Sequence, residues 1–283
     1  MLRAWLLATR PKTLAASVVP VAVGTALAST LGPVRWDLAV GCLVGALLLQ
    51  IACNFANDAG DALRGADTPE RLGPQRAVSS GLISARAMLI ATGVLLSLAF
   101  LLGLWLASQS GWQLMLLGIA SVIASLAYTL GPMPLAYVGL GDVFVLVFFG
   151  FAAVLGSAWV QHPQTPPMLW WLIAAAVGLQ ATALIAINNL RDIPTDEQAG
   201  KRTLCVRLGD RASRIYHAAL HVGAAICLAG AQQWIAAGVA LVLGLGLAVL
   251  VFRSEGRTLN RCLALAAAVQ LITAVIIIGK LIA

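Results

Sequence analysis

The sequence predicts an all-α, polytopic membrane protein in which nine transmembrane helices surround a central cavity, and two observations lead to that prediction. Of its 283 residues, 60% are hydrophobic and only 10% are charged, whereas roughly a quarter of an average soluble domain is charged. The apolar residues also fall into nine stretches close to the ~20 residues that a helix needs to cross a bilayer. Because these stretches leave no room for a soluble domain, residues 1–283 are expected to form a single transmembrane domain.

The nine predicted spans are separated by connections of very unequal length. We place the spans at about 14–31, 38–56, 87–107, 112–130, 138–160, 168–189, 214–230, 235–252 and 262–282. The first follows Arg10 and Lys12 and has no small-residue cleavage site, so we expect it to be retained as a span. Long polar connections follow the second and sixth spans, at about 57–86 and 190–213. We therefore expect the functional residues in these two connections.

Positive charge is distributed unevenly between the two sides of the predicted bundle. When alternate connections are assigned to opposite sides, every lysine and arginine except Arg35 and Lys280 falls on the side of the N-terminus and of both long connections. The positive-inside rule makes that side cytoplasmic, which predicts a multi-pass protein of the inner (cytoplasmic) membrane with its polar connections facing the cytoplasm. This bias, together with attraction to anionic membrane lipid, explains the net charge of +7 without a nucleic-acid partner.

Each long connection contains a ladder of amide and acidic side chains. The first ladder comprises Asn57, Asp58, Asp61 and Asp67, and the second ladder comprises Asn188, Asp192 and Asp196. In both, an asparagine is followed four residues later by an aspartate, and residues four apart are neighbours on a helix surface. One acidic loop beside arginines is usually a solvated, salt-bridged surface. A solvated surface has no reason to occur twice with the same spacing, so the repeat favours a shared binding site.

Carboxylates that are stacked on one helix face repel each other, so we expect a cation between the ladders. Mg²⁺ prefers oxygen ligands and commonly combines one or two protein carboxylates with substrate phosphate oxygens. Two facing half-sites would form one clamp, in which a pair of Mg²⁺ ions holds a diphosphate. The candidate metal ligands are Asn57, Asp58, Asp61, Asp67, Asp192 and Asp196.

Basic side chains close to the ladders could stabilise a departing diphosphate, which gathers negative charge as its bond to carbon breaks. The candidates are Arg71, Arg76, Lys201 and Arg202. Arginine can donate two hydrogen bonds to phosphate, while lysine acts as a point charge. For any single one of these residues, membrane topology and lipid headgroup binding are an equal explanation. Gly73 and Pro74 mark a turn, so the first connection is expected to fold over the site.

The two ladder regions resemble a known family. NDAGDALRGADTPERLGPQRAV and DIPTDEQAGKRTLCVRLG resemble the first and second aspartate-rich motifs of the UbiA superfamily of intramembrane prenyltransferases. Three stretches, at 9–14, 65–78 and 128–142, resemble in particular the branch that uses 1,4-dihydroxy-2-naphthoate in menaquinone synthesis. The resemblance implies Mg²⁺-dependent transfer of a polyprenyl group from a polyprenyl diphosphate to that aromatic acid, with loss of its carboxylate as CO₂.

The resemblance also implies roles for individual residues. It makes Asp61, Asp192, Asp196, Arg76 and Lys201 the expected catalytic residues, and the expected substrate-binding residues are Asn57, Arg71, Arg202, Arg10, Lys12, Tyr128, Asp142 and Asn188. Gly65 stands where the family usually has a third acid, so Asp67 is the expected substitute. Ala59 replaces the family's aromatic residue, which puts the local substrate contacts in question.

For three of these residues an alternative role stays open. Arg10 or Lys12 could hold the acceptor carboxylate, or both could only anchor the N-terminus at the cytoplasmic surface. Asp142 could orient the acceptor, or it could satisfy a bend in its helix.

Two other functions also stay open. The first is a related transferase for another aromatic acceptor such as 4-hydroxybenzoate or homogentisate. The second is a secondary transporter built on repeats, although the acids lie at one membrane face and the predicted external half is nearly free of polar groups.

Overall fold

The computed structural model describes residues 2–67, 72–131 and 133–283, apart from the side chains of Lys12 and Ala15. All regular structure in these residues is helical, which confirms the all-α class. The helices are α1 Leu2–Ala8, α2 Pro11–Ser29, α3 Trp36–Leu63, α4 Ala85–Ser110, α5 Trp112–Thr129, α6 Gly141–Val145, α7 Gly156–Gln161, α8 Met168–Arg191, α9 Ile193–Gln198, α10 Leu204–Leu208, α11 Asp210–Gly230, α12 Trp234–Arg253 and α13 Leu259–Ile282. A π-helical segment, Leu146–Leu155, joins α6 to α7, and a short 3₁₀ turn, Gly256–Thr258, precedes α13.

Each predicted span coincides with one long helix or with the continuous helical stretch Gly141–Gln161. Within the described residues, seven of these segments are long and apolar enough to cross a membrane: α3, α4, α5, Gly141–Gln161, α8, α12 and Gly256–Ile282. In α2 the apolar part is shorter, Ala16–Ser29, and α11 begins with several charged side chains. The polytopic class is thus confirmed, while the number of nine spans and the cytoplasmic N-terminus stay predictions.

The boundaries of the helices follow local signals. Pro11 occupies the first turn of α2, where a missing N–H costs nothing, and the Ser84 hydroxyl caps α4 by accepting a hydrogen bond from the N–H of Ala87. A single residue, Gly111, separates α4 from α5, and its φ of 100° lies in a region that side chains disfavour. The α4–α5 pair is therefore a tight hairpin.

The second predicted span ends too early. We expected it to finish near residue 56, with a motif loop from 57, but α3 continues through Asn57, Asp58 and Asp61 to Leu63, and Asp67 of the first ladder lies beyond its end. The first three ladder residues lie on a helix because they are spaced for one and because the glycine and alanine residues between them allow close packing. The second motif region, expected as a loop over 190–213, contains the short helices α9 and α10.

Backbone contacts hold α8 against the π-helical segment. A Cβ atom placed on Gly150 would lie 2.9 Å from the Cα of Gly178, and one on Gly178 would lie 2.7 Å from the carbonyl oxygen of Leu146. Small residues let membrane helices approach this closely. Of the seven spans, α8 is the most deeply buried, which places the residues at its end in the interior of the bundle.

An apolar cavity of about 200 Å³ lies between α2, α3, α4, α5 and the Gly141–Gln161 segment. Near the ladder end its wall includes Cys53 of α3 and Phe144, and farther away it includes Cys42, Leu114 and Val160. The cavity therefore extends along the bundle from the region of the first ladder towards the opposite ends of the helices.

Candidate active site

Asp61 is the centre of the contacts made by the first ladder, although only 2% of its surface is exposed. Its Oδ1 accepts a hydrogen bond of 2.9 Å from the Tyr137 hydroxyl. Its Oδ2 lies 3.2 Å from Nη2 of Arg76 and 4.0 Å from Nζ of Lys201. A buried carboxylate needs such partners because leaving water is costly for a charge.

Arg76 joins two acids of the first ladder. Its Nε lies 3.5 Å from Oδ1 of Asp67, while Nη2 donates to Asp61. Its Nη1 is buried and has no hydrogen-bond acceptor among the described residues. Because a guanidinium presents its donors in a planar fork suited to phosphate, this nitrogen is a free donor for an anionic ligand.

Asp58 has a different task from its neighbours in the ladder. Its Oδ2 accepts a 3.0 Å hydrogen bond from the N–H of Ala77, and its Oδ1 accepts a 3.1 Å bond from the N–H of Val78. Both oxygens thus bind the backbone of the connection directly after Arg76. The geometry favours Asp58 as an anchor for that segment over its predicted use as a metal ligand.

Lys201 brings the two ladders together. Its Nζ lies 3.7 Å from Oδ1 of Asp196 and 4.0 Å from Oδ2 of Asp61. It also lies 5.3 Å from the centre of the Tyr137 ring, and the Arg64 guanidinium is at the same distance from that ring. Burial, followed by the charge of Asp61, raises the pKa of Tyr137 above its ordinary value, so its hydroxyl remains a donor to Asp61.

In the second ladder, Asp192 is neutralised by the residue before it. Arg191, which is fully buried, donates from Nε to Oδ1 of Asp192 at 2.7 Å and from Nη2 to Oδ2 at 2.6 Å. The same guanidinium donates to Asn188 at 2.7 Å and to Asn260 of α13 at 2.6 Å. Asn260 in turn donates to the carbonyl of Leu72 at 3.2 Å, which ties the first connection to the second ladder.

Other predicted residues lie around this centre. Asn57 accepts a hydrogen bond from the Thr129 hydroxyl. Arg10 adopts a left-handed backbone conformation with φ of 51°, and Arg202 is exposed and contributes its backbone N–H, which donates to the Tyr137 carbonyl at 3.0 Å. The structure therefore does not bring the Arg202 side chain into the cluster. Arg71 and the side chain of Lys12 lie outside the described residues.

Two further predicted residues, Tyr128 and Asp142, are buried close to each other, next to Gly141. Tyr128 is buried beside Phe144, with ring centres 5.1 Å apart. Oδ1 of Asp142 accepts a 3.3 Å hydrogen bond from the Tyr216 hydroxyl.

Four residues of this region were missed as site residues: Tyr137, Arg191, Tyr216 and Asn260. Arg191 looked like one more charge on the cytoplasmic side, although its position directly before Asp192 was a usable signal. Tyr137 lies within the 128–142 stretch, but its contact with Asp61 joins residues 76 positions apart. Such long-range contacts leave no spacing pattern.

The donor set fits Mg²⁺. Carboxylate and amide oxygens of both ladders converge at the ends of α3 and α8, and Mg²⁺ prefers these ligands. In the described part of the chain, no group of three or more acidic, histidine or cysteine side chains could hold a metal ion by itself.

Known proteins with similar sequences support the same interpretation of the site. The chain matches the UbiA prenyltransferase family over residues 17–273. It is 45% identical over 234 residues to 1,4-dihydroxy-2-naphthoate octaprenyltransferase of Escherichia coli (strain K12), covering 80% of this chain and 75% of that protein. It is 38% identical over 257 residues to the protein of the same name from Mycobacterium tuberculosis, covering 89% and 85% of the two chains.

Solved structures support the fold. A UbiA homolog from Archaeoglobus fulgidus, bound to DMAPP and Mg²⁺, superimposes with a TM-score of 0.72 at 15% identity, covering 98% of this chain and 99% of that one. A UbiA homolog from Aeropyrum pernix K1 gives a TM-score of 0.70 at 19% identity, covering 95% and 96%. The family model and the sequence relatives confirm the family resemblance, and the chain belongs to the UbiA prenyltransferase family.

Proposed function

We propose that this protein transfers a polyprenyl group from a polyprenyl diphosphate to 1,4-dihydroxy-2-naphthoate, with loss of CO₂, in menaquinone biosynthesis. The observation that carries the proposal is the meeting of both ladders around Arg76 and Lys201 beside an apolar cavity. The similarity to proteins named for this naphthoate supports the choice of acceptor.

The two ladders supply the ligands for Mg²⁺, and a pair of ions would suit two half-sites. Asn57, Asp61 and Asp67 would contribute from the first ladder, and Asp192 and Asp196 from the second. When bound, Mg²⁺ would neutralise the diphosphate and so make it a better leaving group. Homologous structures bound to DMAPP or GPP together with Mg²⁺ support this composition of the site.

The basic residues act on the diphosphate as its bond to carbon breaks. Arg76 offers Nη1, which is buried and has no acceptor among the described residues. Lys201 already lies between the two ladders, 3.7 Å from Asp196, so its charge falls where the phosphates would be held. Fixed positive groups in a buried site stabilise developing negative charge more strongly than water does.

The apolar cavity holds the beginning of the polyprenyl chain and keeps water from the allylic cation. Its wall is formed mainly by aliphatic and aromatic side chains, which exclude the water that would otherwise react with the cation. The cavity connects the ladder region with the interior of the bundle, so the lipid-soluble donor can bind while its diphosphate reaches the polar residues. With this arrangement the reaction would occur at the membrane surface that we predict to be cytoplasmic.

The acceptor ring would bind between the ladders and the cavity, close to Tyr128 and Asp142. Arg10 is the candidate partner for its carboxylate. The left-handed conformation of Arg10 is unfavourable for a residue with a side chain, at a cost of about 1–3 kcal/mol. Strained residues of this kind often occur where a side chain is held for binding.

A competition assay tests the proposal. Purified protein in lipid nanodiscs receives one polyprenyl diphosphate, Mg²⁺, and equal amounts of 1,4-dihydroxy-2-naphthoate and 4-hydroxybenzoate. We expect Mg²⁺-dependent labelling of the naphthoate and release of one CO₂ per transfer. Preferential labelling of the benzoate would reassign the acceptor and leave prenyl transfer standing, whereas release of no diphosphate with any aromatic acid would refute the proposal.

A further inference from the structure

Asp142 is an unusual acid because it is buried and, in the described part of the chain, forms no ion pair. It is the second residue of α6, and 3% of its surface is exposed. Its Oδ1 accepts a 3.3 Å hydrogen bond from Tyr216 of α11, and its Oδ2 has no hydrogen-bond partner among the described residues. Burying such an oxygen without a partner is unfavourable, and a ligand that donates a hydrogen bond would complete the site.

The surroundings of Asp142 are suited to an aromatic ring. The neighbouring Gly141 lets Tyr128 approach, because a Cβ at that glycine would lie 3.3 Å from the Tyr128 hydroxyl oxygen. Tyr128 packs on Phe144, and Phe144 stacks on Phe148 with ring centres 4.5 Å apart and planes inclined by 26°. Both phenylalanines line the cavity.

The first ladder is close to this aromatic group. Thr129, the residue after Tyr128, donates its hydroxyl hydrogen bond to Asn57. The Tyr128 hydroxyl in turn lies beside Gly141, the residue before Asp142. A ring stacked near Tyr128 would therefore be close both to Asn57 of the first ladder and to Asp142.

From this geometry we infer that Asp142, oriented by Tyr216, binds the ring hydroxyl of a hydroxyaromatic acceptor and holds its proton during transfer. The inference rests on the proposed function and names a catalytic role for Asp142 and a positioning role for Tyr216. Sequence alone left open whether Asp142 only satisfies a helix bend. The unpartnered Oδ2 and the stacked rings nearby favour a role of Asp142 in binding the acceptor.

The step balances without any other reactant. As the ring carbon bearing the carboxylate bonds to the prenyl carbon, the prenyl C–O bond breaks and diphosphate leaves with that electron pair. The adjacent ring hydroxyl becomes a ketone and its proton passes to Oδ2 of Asp142. When the bond to the carboxylate breaks, CO₂ leaves, the electron pair restores the aromatic ring, and the ketone oxygen takes the proton back. Asp142 ends the cycle as a carboxylate.

The test combines a variant of the protein with a variant of the acceptor. Asp142→Asn removes the proton acceptor, and a methyl ether at the hydroxyl next to the carboxylate removes the proton. We expect Asp142→Asn to lower kcat/KM for the natural acceptor by about a hundredfold, with KM for the prenyl diphosphate unchanged. With the methyl ether, the unaltered protein and Asp142→Asn should be equally slow, because the contact between Asp142 and the ring hydroxyl is already lost.

Two further variants complete the experiment. Asp210→Asn changes another aspartate of the same region, which is exposed and paired with Arg214 at 2.7 Å, and should retain full activity. Tyr216→Phe keeps the ring and should lower kcat/KM for the natural acceptor about fivefold, as expected for one net hydrogen bond; it provides the test if Asp142→Asn does not fold.

The outcomes separate the inference from the proposed function. If Asp142→Asn or Tyr216→Phe slows the hydroxyl and methyl ether acceptors by the same factor, or slows neither, the inference is overturned. If the unaltered protein prenylates no hydroxyaromatic acid, the proposed function fails and the inference falls with it.

Discussion

The two ladders share a spacing pattern but differ in how their charges are neutralised. Asp61 of the first ladder obtains its partners from distant parts of the chain: Arg76, Tyr137 and Lys201. Asp192 of the second ladder obtains its main partner, Arg191, from the adjacent position. The first ladder is thus assembled only when the chain is folded, while the central pair of the second is local. A shared sequence motif therefore does not imply a shared structural solution.

The largest effect should come from removing the central acid of either ladder. We expect Asp61→Ala and Asp192→Ala each to lower the rate of prenyl transfer by at least about a thousandfold, since each removes a charge that holds the diphosphate site together. Initial rates at saturating Mg²⁺, with membrane insertion checked separately, measure the effect. Normal turnover in either variant would remove that ladder from the proposed site.

The next largest effect should be on thermal stability, and it concerns the ion pair of the second ladder. Arg191→Met leaves Asp192 buried without a cation, and breaking a buried pair costs about 3–5 kcal/mol. Thermal unfolding in detergent should show a clearly lower Tm than for Arg211→Met, a matched change at an exposed arginine. If the two variants unfold at the same temperature, the local pair does not stabilise the second ladder.

A smaller effect is expected for Arg76→Lys, which keeps the charge but loses the planar fork that reaches Asp61 and Asp67. The initial rate should fall by about 10- to 30-fold, in line with one lost charge-assisted contact of ~1.5–2 kcal/mol. Arg257→Lys, at an exposed site on the same side, is the control. If the two variants had equal rates, Arg76 would contribute only a positive charge that sets the orientation in the membrane.

The smallest effect should follow from Tyr137→Phe. This change keeps the ring beside Arg64 and Lys201 but removes the hydrogen bond to Asp61. One net hydrogen bond corresponds to a decrease in rate of about fivefold, and we expect a higher Mg²⁺ concentration for half-maximal rate. An unchanged Mg²⁺ dependence would show that the bond does not position Asp61.

Much of the architecture could be predicted because it depends on patterns along the chain. Apolar length gave the positions of the long helices, and the four-residue spacing identified Asp61 and Asp192. The end of α3 was placed too early because hydropathy falls at Asn57 while helical geometry continues to Leu63. Hydropathy indicates which residues lie in the bilayer, but it does not indicate where a helix ends.

The partners of the acids were harder to predict. The positive-inside rule already explained Arg191, so its burial was not predicted, although its position directly before Asp192 was a usable signal. Tyr137 and Asn260 act across the fold, at 76 positions from Asp61 and 69 from Arg191. Only tertiary structure brings such residues together, and a single sequence holds no record of that proximity.

The close approach of Gly150 and Gly178 has a mechanical consequence for the cavity. The backbone of the π-helical segment is held against the backbone of α8, so this wall cannot move away from a ligand as a whole. The opposite wall consists of flexible side chains of α4 and α5, such as Leu104 and Met115, and its Gly103 and Gly118 have no atoms crowding them. One wall is stiff and the other compliant, so polyprenyl chains of different bulk would be accommodated by movement on the α4–α5 side while the reacting end stays in register with the acids.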